Sequence, residues 1–203
     1  MNRRKFCLAS VAAAISGAAA GQTASLTPCA PARGVSTPGI PLYRFIYDHR
    51  FSAGRAFGTA AERVRSIAGT IAIDGDITAL WSRDLRLRRP SGDGAIAGMT
   101  TARTLFCLEQ LARDLWMRVV IRADHATSGG SEIVHRLSGS QAMVARITPL
   151  LAAADWPAKM PAALAGCSRI TAGGADHVTC VLGSPYGRRA GAADENLVSF
   201  VIA

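Results

Sequence analysis

The stretch that decides the fold is residues 95–125, AIAGMTTARTLFCLEQLARDLWMRVVIRADH, where loop, helix and strand patterns follow one another without a break. Thr100 or Thr101 is a suitable N-cap, because a threonine hydroxyl accepts a backbone N–H of the first helical turn, and Gly98 permits a sharp turn before it. Apolar residues then recur at helical spacing on one face: Leu105, Leu108, Leu111, Ala112 and Leu115. The pattern predicts a loop near Gly98 followed by an amphipathic helix.

The pattern changes after Trp116 to residues 117–123, MRVVIRA, a mostly apolar run of strand length. Such a run is typical of a strand that is covered on both faces. It stops at Asp124 and His125, so we expect the strand to end there.

Two earlier strands are predicted at residues 42–47 and 70–73, and a helix over residues 52–66 lies between them. The remaining expected elements are a brief helix over 77–81, a loop at 90–94, a Ser/Gly-rich connection at 127–131, a strand at 132–137, a helix over 140–154, a turn at 156–161, and strands at 167–172, 175–182 and 197–202. Strands that alternate with helices favour parallel pairing. The predicted fold class is therefore α/β, a single domain over residues 42–203 with a mixed, mainly parallel sheet, helices packed on it and antiparallel strands at the C-terminal end.

The first twenty residues have the pattern of an export signal, with Arg3-Arg4-Lys5 before the uncharged run 6–20 and a small-residue cleavage site that ends at Ala20. The run Asn2-Arg-Arg-Lys-Phe-Cys-Leu8 resembles a twin-arginine (Tat) signal peptide, although an ordinary Sec signal is the alternative. The resemblance implies a periplasmic or secreted protein. Residues 21–41, rich in Ala, Thr, Ser, Pro and Gly, are expected to form a flexible leader.

The composition, 49% apolar and 18% charged, argues against disorder, and 203 residues suffice for one domain with a substantial core. Removing Arg3, Arg4 and Lys5 lowers the formal net charge from +9 to +6. The one dense basic run, residues 83–89, contains four arginines but no interleaved aromatic residues, so a solvated loop is favoured over a nucleic-acid surface. We expect no nucleic-acid partner, no stable membrane span after signal cleavage, and an unidentified small-molecule or protein partner.

Three predicted strands end in similar polar residues. If these strands are parallel neighbours, their carboxyl ends lie at the edge of the sheet where open α/β proteins bind ligands. Aspartate and histidine together can transfer protons or ligate a divalent metal, so the cofactor, including any metal, stays open. The alternative is that each aspartate only caps its own turn. The candidate catalytic residues are Asp48, His49, Asp74, Asp76, Asp124 and His125.

No motif for a serine hydrolase elbow, a nucleotide-binding loop, a Cys-x-x-Cys pair or a His-Glu-x-x-His metal site is present. The fragments IDGDITALW and AGMTTARTLFCLEQLA are similar to exported bacterial proteins to which no established activity is attached. Two hypotheses follow. One is a periplasmic acid/base or metal-assisted hydrolytic enzyme, and the alternative is a non-catalytic periplasmic binding or accessory protein.

Four cysteines remain after signal cleavage: Cys29, Cys107, Cys167 and Cys180. A two-residue turn at Gly173-Gly174 would place Cys167 directly opposite Cys180 in a non-hydrogen-bonded pair, where Cα atoms lie about 4.5 Å apart. That distance permits a disulfide bond, which is expected to form in an oxidising compartment. Two buried free thiols are the alternative, since twin-arginine substrates fold before export.

Overall fold

The computed structural model describes residues 42–64, 69–86, 94–128, 132–166, 177–184 and 196–203. The proposed signal peptide, the leader, Cys29, Cys167 and the turn at Gly173-Gly174 lie outside the described residues. The strands are β1 (Leu42–Asp48), β2 (Thr70–Ile73), β3 (Ala95–Thr101), β4 (Val119–Ser128), β5 (Glu132–Ser140), β6 (His177–Ser184) and β7 (Leu197–Ile202). The helices are α1 (Ser52–Ala61), α2 (Thr78–Leu80) with a π-helical turn (Trp81–Leu85), α3 (Ala102–Arg113), α4 (Gln141–Leu151) and α5 (Trp156–Ala165).

The described strands form one seven-stranded sheet in the order β2-β1-β3-β7-β4-β5-β6. Strand β1 pairs in parallel with β2 and β3. The other four pairs, β3–β7, β7–β4, β4–β5 and β5–β6, are antiparallel. The predicted α/β class with a mixed sheet is confirmed. Parallel pairing is confined to the three strands that alternate with helices, because a helical crossover returns the chain to the edge where it began.

Strand β7 lies between β3 and β4 and is antiparallel to both. It is buried along its whole length and apolar except for Ser199, as expected of a strand with helices over both faces. Two strands, β3 and β7, therefore separate β4 from β1. This order of strands determines which polar residues can meet.

Alternate residues of the central strands supply two hydrophobic cores, one on each face of the sheet. Met99 on β3 and Phe57 on α1 belong to the first core, which also contains residues of α4 and α5. Ile96 on β3 and Leu105 on α3 belong to the second, together with Trp81 of the π-helical turn. Helices α1, α4 and α5 thus cover one face, and α3 covers the other with the π-helical turn.

The segment 95–101 is a central strand, so the prediction of a loop around Gly98 was wrong. Every residue of β3 is buried. A Cβ atom on Gly98 would collide with the carbonyl oxygen of Ile46 and lie 2.9 Å from the Phe200 ring. Glycine is therefore required by close packing between strands rather than by a turn. The expected N-cap is correct, since Thr101 Oγ1 accepts a hydrogen bond from the Thr104 amide at 3.3 Å.

Two other predictions need correction. The segment predicted to turn at 156–161 is the first part of α5, which begins with Trp156 and Pro157. Proline is well tolerated in the first turn of a helix, because its missing N–H has no intrahelical acceptor there. The strand predicted to end before Asp124 continues as β4 to Ser128. Asp124 and His125 therefore lie within a strand and not after it.

Candidate functional site

The carboxyl ends of β1 and β3 are adjacent, and the chain leaves them toward opposite faces of the sheet. Helix α1, which follows β1, packs in the first core through Phe57 and Ala61. Helix α3, which follows β3, packs in the second core through Leu105 and Leu108. In open α/β sheets, helices that diverge in this way flank the position where ligands bind. We call this the switch-point crevice.

An ion pair stands at the end of β1 in the switch-point crevice. The Asp48 carboxylate is fully buried and accepts hydrogen bonds from Arg50 Nε at 2.9 Å and from Arg50 Nη2 at 2.7 Å. It also accepts the Arg50 amide at 3.2 Å. The Arg50 side chain is 46% exposed, so the pair has one buried partner and one that reaches solvent. Asp48 is thus engaged in holding Arg50 in place.

The loop after β2 and the start of α3 close the other side of the crevice. The Arg50 guanidinium lies over Gly75, which has a φ of 101° and would bring a Cβ atom within 2.5 Å of Nη2. The Gly75 carbonyl accepts a hydrogen bond from Thr104 Oγ1 at 3.1 Å, and this hydroxyl also contacts Thr101 Oγ1. The contacts join β1, the β2 loop and the first turn of α3. That turn presents backbone N–H groups, which favour negatively charged atoms.

The other predicted residues at this edge have local partners. Asp76 accepts the Thr78 amide at 2.8 Å, and Asp74 accepts the Asp76 amide at 3.4 Å. The His49 ring lies with Nδ1 2.7 Å from the Ile73 carbonyl oxygen, so this nitrogen carries the proton and donates it. All three predicted side chains are exposed. They lie at the same edge as Asp48, as the sequence predicted, and each one stabilises a turn.

Asp124 and His125 do not join this group, because β4 is separated from β1 by β3 and β7. As neighbours in a strand they point to opposite faces of the sheet. Asp124 forms a salt bridge with Arg122 at 2.8 Å. The hydrogen bond from Arg122 to Asp124 raises the pKa of the guanidinium, and Glu109 on α3 adds a smaller effect. The expected common crevice of six residues is therefore corrected to four: Asp48, His49, Asp74 and Asp76.

His125 belongs to a buried group that we call the histidine cluster: His125, His135, Ser199 and Trp156. The two Nδ1 atoms of His125 and His135 are 2.7 Å apart, and His125 Nε2 lies 2.9 Å from Ser199 Oγ. The Trp156 ring covers both imidazoles, with ring centroids 4.1 Å from His125 and 5.0 Å from His135. Three strands and α5 thus enclose one polar network within the first core.

Burial determines the charge state of the histidine cluster. It lowers the pKa of His135 to about 4 and the pKa of His125 well below its usual 6.5, with a further decrease from the proximity of His135. Both rings are therefore neutral at pH 7. His135 Nε2 has no hydrogen-bond partner among the described residues. An unpaired lone pair costs less there than an unpaired N–H, which favours a proton on His135 Nδ1 and on His125 Nε2.

The sequence interpretation missed His135 and Ser199 as members of this group. The available signal was the antiparallel pairing of β4 with β5, in which His125 and His135 are directly opposite. Ser199 offered no local signal, because its position depends on the insertion of β7 beside β4.

Among the described residues, no group of three or more His, Cys, Asp and Glu side chains is arranged to hold a metal ion. Within the same ranges, no helix has the length and hydropathy needed to cross a membrane. No protein-family model, curated protein or solved structure matches this chain.

Proposed function

We propose that this chain is an exported periplasmic protein that binds a small polar ligand in the switch-point crevice without transforming it. The observation that carries the proposal is the arrangement of α1 and α3, which leave adjacent parallel strands on opposite faces with Arg50 and Gly75 beside the start of α3. This is the position at which open α/β sheets bind ligands.

The charges around the crevice favour a ligand that carries both signs. The Arg50 guanidinium and the first turn of α3 attract a carboxylate or a phosphate group. Asp74 and Asp76 are exposed on the same edge, and each uses one carboxylate oxygen for its turn, which leaves the other for a cation. A small zwitterion such as an amino acid satisfies both requirements.

The hydrogen bonds at the sheet edge favour binding over catalysis. A general acid or base needs a titratable group that faces the substrate. Asp48, the buried carboxylate at this edge, is instead occupied by Arg50. The exposed Asp74, Asp76 and His49 each hold their own turn through a hydrogen bond. These contacts position the loops of a binding site.

A hydrolytic enzyme is the second candidate, and one contact favours it. The Ser199 hydroxyl is hydrogen-bonded to the His125 imidazole, and His135 orients that imidazole through its other ring nitrogen. A nucleophilic hydroxyl, a base and an orienting group are arranged in this order in many hydrolases. Two features oppose it: Ser199 is completely buried, and the favoured tautomer makes Ser199 an acceptor from His125 rather than a donor. Labelling of the native protein at Ser199 by a fluorophosphonate probe would support the hydrolytic candidate over the binding protein.

Ligand binding is tested by thermal unfolding of the mature protein with amino acids, dicarboxylates and phosphate esters. A ligand at one hundred times its Kd stabilises the folded state by about 2.7 kcal/mol, and Tm rises by roughly 5–10 °C for a chain of this size. Asp74→Asn should reduce the shift for a zwitterion. Asp114→Asn, an equally conservative change at the other end of α3, should leave the shift intact. Equal Tm shifts in the two variants would contradict a ligand site at Asp74.

Export is tested separately, by N-terminal sequencing of the protein from a periplasmic fraction. The proposed signal peptide predicts a mature chain that begins at Gly21. Recovery of the intact chain in the cytoplasm alone would remove the periplasmic assignment but not the ligand site.

A further inference from the structure

Trp116 has an unusual position just beyond the end of α3. Its side chain is 96% exposed, and its φ of 58° lies in the left-handed region. Its amide donates to the Arg113 carbonyl at 2.9 Å, which ends the helix. A glycine is the usual residue at such a position, because a bulky side chain is strained there. Neither burial nor backbone geometry explains a tryptophan at this site.

Trp116 continues a line of exposed residues along the outer face of α3. Arg103, Phe106, Gln110 and Arg113 follow at i, i+3, i+7 and i+10, and all four are exposed. We call these five residues the α3 stripe. Phe106 is 60% exposed, so the α3 stripe has a second large apolar side chain. The opposite face of α3 is buried in the second core through Leu105, Leu108 and Ala112.

The α3 stripe is also basic. Arg103 and Arg113 form no ion pair with any described carboxylate, and Arg118 just beyond Trp116 is likewise exposed and unpaired. The acidic residues near Trp116 are Asp114, which is exposed, and Glu109, which faces Arg122 at 3.9 Å. Asp74 and Asp76 lie near the other end of the α3 stripe, because their loop contacts Thr104. Close to Trp116, the exposed Arg113 and Arg118 therefore outnumber the one exposed aspartate.

We propose that the α3 stripe docks the protein on an anionic phospholipid surface. Exposed aromatic residues and arginines along one helix face are typical of interfacial membrane binding, in which the rings enter the headgroup region and the guanidinium groups meet lipid phosphates. A narrow line of five residues is less suited to a folded protein partner, since standard interfaces use about 20–30 residues a side. The proposal goes beyond the ligand-binding function and does not depend on it.

Tryptophan fluorescence tests the proposal directly, because Trp81 and Trp156 are only 5% and 4% exposed. A shift of emission to shorter wavelength on adding vesicles therefore reports Trp116. We expect the shift with vesicles that contain phosphatidylglycerol and not with phosphatidylcholine alone, and we expect high salt to reverse it. No shift with the anionic vesicles, or an equal shift with both kinds, would overturn the proposal.

Variants separate the α3 stripe from the net charge of the protein. Trp116→Gly should keep the fold, because glycine adopts a positive φ without strain. Vesicle sedimentation should nevertheless show about tenfold weaker binding to lipid. A loss of this size is expected if only a quarter of the ring surface is buried in the lipid headgroup region. Arg113→Gln should weaken binding about fivefold. Arg63→Gln, just beyond α1 on the opposite side of the sheet, removes the same charge and should have little effect.

Three results would contradict docking by the α3 stripe. The first is unchanged sedimentation of Trp116→Gly. The second is an equal loss for Arg113→Gln and Arg63→Gln, which would assign the binding to net charge alone. The third is a Trp116 emission shift with poly-glutamate but not with vesicles, which would indicate an acidic polypeptide partner.

Discussion

The histidine cluster predicts that the protein loses stability as the pH falls below about 6.5. Burial lowers the pKa of His135 to about 4, whereas an unfolded chain protonates histidine near 6.5. Between these values the unfolded state binds more protons than the folded state, so the free energy of unfolding rises with pH and decreases on acidification. His125 contributes in the same direction, because its pKa is also lowered.

The size of the effect follows from the two pKa values of His135. Proton linkage gives a loss of about 2 kcal/mol in the free energy of unfolding between pH 7 and pH 5 from this residue alone. His135→Asn keeps a polar atom close to the position of Nδ1 but cannot become cationic. The variant should therefore lose about 2 kcal/mol less than the wild type over the same interval. Carboxylates elsewhere titrate equally in both proteins and cancel in this difference.

Urea unfolding followed by circular dichroism at pH 7, 6 and 5 measures the difference, since the midpoint and slope give the free energy at each pH. An NMR titration of the His135 ring provides a direct check, with an expected midpoint near pH 4. Parallel pH profiles for the wild type and His135→Asn, or a ring that titrates near 6.5, would refute the assignment of a buried neutral histidine pair.

Two further predictions concern stability, and a third concerns the cysteines. Arg50→Gln leaves the buried Asp48 carboxylate unpaired, so it should lower the free energy of unfolding in urea by about 3–5 kcal/mol. Adding Asp48→Asn should restore most of that free energy. A double variant whose loss equals the sum of the two single losses would contradict the prediction. Gly98→Ala places a methyl group between central strands and should lower the free energy of unfolding by about 1–3 kcal/mol, and an unchanged Tm would oppose the packing argument. Mass spectrometry of unreduced exported protein should find Cys167 linked to Cys180; Cys180 carries a free thiol in this structure, and recovery of both thiols free would exclude the bridge.

Local patterns sufficed for several elements of the fold. The Thr101 cap, the apolar face of α3 and the strand ending at Asp48 were predicted correctly, because each depends on residues within three or four positions along the chain. The edge carrying Asp48, Asp74 and Asp76 was also predictable. It requires only that β1 and β2 be parallel neighbours, as a strand–helix–strand unit normally makes them.

Glycine residues show most clearly where the local interpretation failed. Gly98 suggested a turn, yet it lies in a central strand. The residue there is glycine because the Ile46 backbone and the Phe200 ring leave no room for a Cβ atom. Gly58 lies within α1, where a Cβ atom would meet the Tyr47 ring at 2.5 Å. A residue required for close packing between distant segments has no signature in its own neighbours.

The sequence by itself determined most of the helices and strands, with β3 and α5 as the exceptions, and it determined the polar edge beyond β1 and β2. Only the tertiary structure decided that β7 enters between β3 and β4. That position separates His125 from Asp48 and brings it against Ser199 and His135. The order of the strands depends on which apolar faces are buried together. It also depends on contacts between residues far apart in the chain, such as His125 and Ser199, which are separated by 74 residues. Neither can be predicted from a short stretch of sequence.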